Sequence, residues 1–76
     1  MSKPEEAEID SRYEEIIARS NQYYDSGEYD KALQMYEDAS KIAPHYGFAW
    51  YMMGMSLFKM DKFEEAIGAF DIASSL

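Results

Sequence analysis

Trp50–Phe70, WYMMGMSLFKMDKFEEAIGAF, is the stretch whose reading decides the fold. Trp50, Met53, Gly54 and Leu57 fall at i, i+3, i+4 and i+7, one apolar stripe of a helix. Tyr51, Met55 and Phe58 fall at i, i+4 and i+7 and make a second stripe on the same helix. A helix with two apolar faces has to be covered on both, or has to offer one of them to a partner. Met60-Asp61 reads as a tight turn, and Asp61-x-x-Glu64 has the form of a capping box opening the next helix. That helix carries Phe63, Ala66, Ile67, Phe70 and Ala73 on its inner face.

Working back toward the N-terminus, Pro44–Gly47 is a short break preceded by a helix with Tyr29, Ala32, Leu33, Tyr36 and Ala39 at helical spacing. The residue before a proline is pushed out of the helical region, so this helix is expected to stop ahead of Pro44. Gly27 supplies a left-handed residue to end the helix before it. The first helix is expected to open at the Ser11-x-x-Glu14 capping box, with Tyr13, Ile16, Ser20 and Tyr23 on its buried face. Residues 1–10, acidic and interrupted by Pro4, show no sustained period and read as a flexible lead-in. The expected organisation is a lead-in over 1–10, one helix–turn–helix unit over 11–44 and a second over 45–76. No strand pattern is present, so the class is all-α.

The two units are copies. A shift of 34 residues takes Ile16 to Trp50, Ser20 to Gly54, Tyr23 to Leu57, Tyr29 to Phe63, Ala32 to Ala66, Tyr36 to Phe70 and Ala39 to Ala73. The second copy reads Trp50-x₂-Met53-Gly54-x₂-Leu57, then Ala66-x₃-Phe70. The first reads Ile16-x₂-Arg19-Ser20-x₂-Tyr23, then Ala32-x₃-Tyr36, then Ala39 and Pro44. This pattern resembles the tetratricopeptide repeat. The resemblance spans about Tyr13 to Leu76 and implies a short right-handed α-solenoid of two tandem antiparallel helix pairs. Arg19 departs from the pattern, which prefers leucine there.

In proteins of that family the leading helices line a concave groove that holds a peptide. The resemblance places Ile17, Asn21 and Tyr24 of the first repeat there, with Tyr51, Met52, Met55 and Phe58 of the second. Methionine is pliable and tyrosine is rigid and amphipathic, which suits such a surface. Some members clamp the carboxylates of chaperone tails with Lys, Arg and Asn. Asn21 matches one such position, but Ile17 and Met52 stand where that clamp uses Lys and Asn. An apolar groove flanked by Glu14 and Asp25 better suits an amphipathic or mildly basic segment. The family commonly has three or more repeats and a final capping helix. Two units without a cap are expected to be marginal. Asp38 becomes Ile72 in the second copy and Lys41 becomes Ser75. Phe70, Ile72, Ala73 and Leu76 are therefore a second expected surface, for stacking on another copy of the chain, on a face separate from the groove. A third reading is an excised piece of a longer repeat protein.

Composition bounds the rest. At 76 residues the chain is one small domain. Seven Lys and Arg against fifteen Asp and Glu give a formal net charge of −8, which repels phosphate backbones and anionic lipid. Nucleic acid and membrane are thus not expected partners. A protein or peptide is, and a second copy is the alternative. Without cysteine there is no disulfide, thiolate nucleophile or zinc–thiolate site. His45 stands alone beside Pro44, and Glu5, Glu6, Glu8 and Asp10 read as a solvated acidic run. No phosphate loop, metal-ligand pair or nucleophile with a base can be assembled, so neither catalysis nor a cofactor is expected. MSKPEEAEID has no apolar run of signal-peptide type, and no segment is long and apolar enough to span a bilayer, so a soluble, cytoplasmic chain is expected.

Overall fold

The computed structural model describes residues 4–76, which form four helices: α1 (Pro4–Asp25), α2 (Tyr29–Ile42), α3 (Gly47–Lys59) and α4 (Phe63–Ser75). Among the described residues there is no strand. Each helix packs chiefly on its neighbours in sequence, α1 on α2, α2 on α3 and α3 on α4. The principal extents are 41 × 27 × 13 Å and the radius of gyration is 12.5 Å. A compact globule of this length would have a radius of gyration near ~11 Å. The molecule is therefore a thin slab, as expected when helix pairs stack along one direction and bury surface only against adjacent units.

Two helix starts differ from the sequence expectation. Helix α1 begins at Pro4, so Ser11 lies in its interior and does not cap it; residues 1–3 of the expected lead-in lie outside the described residues. The physical reason is local. Proline is pre-organised for the first helical position, and Glu5 and Glu6 in the first turn complement the helix dipole. Asp10 is then held by the Tyr46 hydroxyl, which donates to its Oδ1 at 2.6 Å across 36 residues of sequence. Helix α4 begins at Phe63 with Lys62 at the cap position and no side-chain cap bond, so Asp61 is not its N-cap.

Asp61 instead ends α3. Its φ is +62°, and Gly27, its counterpart 34 residues earlier, has φ +82°. Asp61 N–H donates to Phe58 O at 3.0 Å and Lys62 N–H to Leu57 O at 2.9 Å; Gly27 N–H donates to Tyr24 O at 3.0 Å and Glu28 N–H to Tyr23 O at 2.8 Å. These are the paired 5→2 and 6→1 bonds of a Schellman motif, made twice in the same register. The left-handed region costs an L-residue ~1–2 kcal/mol and glycine nothing comparable. Asp61→Gly is therefore expected to raise the stability of the chain by about 1 kcal/mol, read from the urea midpoint at unchanged slope.

The core follows the repeat. Ala32 and Ala66 are buried at 0% and 1% exposure, where the two helices of each pair approach closely. One buried cluster joins Ala32, Tyr36, Met53, Leu57, Ala66 and Ala69, and a second joins Tyr13, Ala39, Ala43 and Ala49. Gly54 is small because a Cβ there would lie 2.5 Å from the Phe70 ring. Ser20, its counterpart, is fully buried and satisfies its hydroxyl on Ile16 O at 2.7 Å. Aromatic pairs also repeat: Tyr24 meets Tyr29 edge-on at 5.2 Å, and Phe58 meets Phe63 edge-on at 5.3 Å. Each pair clips the turn that closes its unit.

Candidate functional site

The copies part company in what covers them. Tyr36 and Ala39 on α2 are fully buried, whereas Phe70 and Ala73 at the same register on α4 are only half-buried. Helix α3 packs on α2 and supplies the difference, and no described element packs on α4 in the same way. The large apolar residues left exposed are concentrated accordingly. Phe48, Tyr51, Phe58, Phe63, Ile67, Ile72 and Leu76 are 42–59% exposed, and among the described residues only Ile9 joins them from outside the second repeat.

The expected groove residues divide into engaged and open ones. Ile17 and Met52 are half-buried against the core. Asn21 is half-buried, and its Oδ1 accepts a hydrogen bond from the Tyr36 hydroxyl. Burial, with the Asp25 carboxylate nearby, pushes that hydroxyl up to about 12. It therefore stays protonated and remains a donor through neutral pH. Tyr24 is half-buried and meets Tyr29 edge-on. On α3, Met55 is half-buried, while Tyr51 and Phe58 are 47% and 50% exposed. The open part of the predicted stripe thus lies on α3, and α1 contributes residues already engaged in packing or hydrogen bonds.

Tyr51, expected along the groove, also faces α4. Its ring lies 5.7 Å from that of Phe70, and with Gly47, Phe48, Phe70, Ala73 and Ser74 it lines a hollow of about 470 Å³ between α3 and α4. Tyr51, an expected groove residue, thus shares this hollow with Phe70 and Ala73, two of the expected stacking residues, because it sits one turn from Phe48 and faces α4. Phe48 was missed. Its exposure follows from the absence of cover on α4, which no pattern within residues 46–60 announces. Of the expected stacking residues, Ile72 and Leu76 are 42% and 57% exposed, and Phe70 and Ala73 are half-buried in the hollow.

A second hollow, of about 410 Å³, lies between the first turns of α1 and the α2–α3 connection, lined by Glu6, Ile9, Asp10, Ala43, His45 and Tyr46. Its polar groups serve the fold: Asp10 holds Tyr46, whose hydroxyl is raised by that bond, and His45 packs edge-on against Tyr46 at 4.6 Å. Among the described residues no three His, Cys, Asp or Glu side chains gather to hold a metal ion, and no helix is long and apolar enough to cross a membrane.

Paired antiparallel helices in a 34-residue register, with the last pair left apolar, define a helical-repeat scaffold of the kind that acts by contact. Comparison with known proteins gives it a family. The model of the family described as anaphase-promoting complex, cyclosome, subunit 3, matches residues 7–73. A TPR repeat-containing protein of Methanocaldococcus jannaschii is 30% identical over 61 residues, covering 80% of this chain and 11% of that protein. No solved structure matches. The chain belongs to the tetratricopeptide-repeat family, whose members act generally in protein–protein interaction. It spans about a tenth of the length of the curated relative.

Proposed function

We propose that the chain is a non-catalytic adaptor that docks an apolar-anchored, mildly basic amphipathic segment of another protein along α3. The observation that carries this reading is the Met55–Phe58 part of the second stripe. It stays accessible on a helix whose opposite face, Met53 and Leu57, is fully committed to the core. Glu14 and Asp25 on α1 are exposed, and as the acidic flanks of the docking surface they would attract Lys and Arg of the segment. The matching family description names a subunit of a multiprotein complex, which accords with a role in assembly. A cytoplasmic setting accords with a cysteine-free chain and is part of the proposal.

The test uses peptides selected from a random library on the immobilised chain. The enriched sequences are expected to share apolar residues at helical spacing together with Lys or Arg. Against the Met55→Ala/Phe58→Ala double variant, their affinity is expected to fall about tenfold or more, the loss typical of removing central apolar anchors. Both positions are at least partly exposed, so the variant keeps its helical circular dichroism. Peptides that bind the double variant as tightly as the wild type would remove α3 as the site.

A further inference from the structure

We infer that the Asn21 carboxamide, held in one orientation by Tyr36, is a polar selector in the docking surface: it takes an asparagine or glutamine of the bound segment beside the apolar anchors and turns away a carboxylate. The inference rests on the adaptor reading and adds to it the chemistry of the segment's polar contact.

The second repeat shows that the fold does not need this pair. A shift of 34 residues takes Asn21 to Met55 and Tyr36 to Phe70. The bonded carboxamide and hydroxyl of the first copy are thus replaced together, by a thioether and a plain ring. The same pair of antiparallel helices is built without them. A buried polar contact that the architecture can omit points to a use on its open side.

That open side is a donor. Tyr36 is fully buried, and its hydroxyl donates to Asn21 Oδ1. With the carboxamide turned over, its nitrogen would face the hydroxyl, whose proton would then be buried without an acceptor. The oxygen is therefore held inward and the two N–H groups point away from Tyr36. Among the described residues, the enclosed side-chain polar atoms left without a partner are the Tyr13 and Ser56 hydroxyls, so the Asn21 nitrogen is open to solvent. Ile17 and Tyr24, at helical spacing on either side, share its face of α1.

A bare donor takes an oxygen, and the surroundings decide which. Asp25 stands one turn further along α1, exposed, and its carboxylate is close enough to raise the Tyr36 hydroxyl. In a chain of net charge −8, a carboxylate of the segment is repelled there. The backbone carbonyls of a helical segment are already bonded within it, except in its last turn. A side-chain carboxamide meets both demands: its oxygen accepts from Asn21, and its own N–H groups suit the Asp25 carboxylate. Because Asn21 and Met55 hold the same register on the two leading helices, the polar contact and the apolar anchor serve one segment.

Peptides selected from a random library on the immobilised chain are expected to carry asparagine or glutamine at a fixed distance from their apolar residues. Replacing that residue of the peptide by glutamate is expected to weaken binding about tenfold or more. Asn21→Asp still accepts from Tyr36 but offers no N–H, and is expected to bind the glutamine peptide about tenfold more weakly with its helical circular dichroism unchanged. Tyr36→Phe frees the carboxamide to turn and is expected to narrow the preference for glutamine over glutamate; a merely structural defect would weaken both peptides alike. The exchange within the peptide needs no variant of the chain, so it decides the matter if Asn21→Asp does not fold. Selected peptides without asparagine or glutamine, equal affinity for the glutamine and glutamate peptides, or a preference untouched by Tyr36→Phe would each overturn the inference and leave the Met55–Phe58 contact standing. Peptides indifferent to Met55→Ala/Phe58→Ala would remove the adaptor reading and this inference with it.

Discussion

Tyr36→Ala is expected to leave the chain largely unfolded at room temperature. Tyr36 is a large, fully buried side chain at the junction of α2, α1 and α3, with 0% exposure. Truncating a buried aromatic costs ~3–5 kcal/mol. A core in a chain of this size seldom supplies more than ~3–5 kcal/mol in total, so the loss matches the whole. The far-ultraviolet helical signal of the variant should be small and should show no cooperative melt. Tyr36→Phe separates the ring from its hydroxyl. It keeps the packing, loses the bond to Asn21, and is expected to cost about 1 kcal/mol while remaining folded. Phe70→Ala, at the same register but only half-buried, should cost less than Tyr36→Ala. A cooperatively folded Tyr36→Ala chain would mean that the first repeat is not the seat of the stability.

Gly54→Val is the second large effect. A Cβ at Gly54 would lie 2.5 and 2.6 Å from two carbons of the Phe70 ring and 3.0 Å from a third. The ring must move away from α3, and valine adds two further methyl groups to the clash. Overpacking of this kind costs ~1–3 kcal/mol, and the upper end is expected here. The gain in helix propensity on replacing glycine offsets less than ~1 kcal/mol of that. Gly68→Ala is the control. Nothing lies within 4 Å of a Cβ at Gly68, so the propensity gain stands alone and the variant is expected to be more stable by up to about 1 kcal/mol. Thermal melts of the two variants should move in opposite directions. Equal stability of Gly54→Val and wild type would contradict the close α3–α4 approach.

The repeat was legible in the residues because close approach admits few side chains. Ser20, Gly54, Ala32 and Ala66 occupy the tight crossings, and the shift of 34 found them together. Helix ends were less legible, because the same letters serve different caps. Asp61-x-x-Glu64 imitates a helix start, yet Asp61 takes the left-handed position that Gly27 fills in the first copy, and the register comparison held that clue. Pro4 with Glu5 and Glu6 was a start signal outranked by Ser11-x-x-Glu14. At the site, the sequence placed the α3 stripe but not its company. That Asn21 is engaged by Tyr36, and that Tyr51 faces Phe70, depends on which way α2 and α4 lie, and spacing along one helix does not carry that information.

The adaptor reading stands or falls on where a bound segment touches the chain. Methyl nuclear magnetic resonance of the methionines, titrated with a library-selected peptide, reads this directly. Met52 and Met55 lie on the proposed docking helix, and Met35 lies on α2. Saturable shifts at Met55, with a smaller response at half-buried Met52 and none at Met35, are the predicted result. Shifts led by Met35, with Met55 unmoved, would contradict docking along α3.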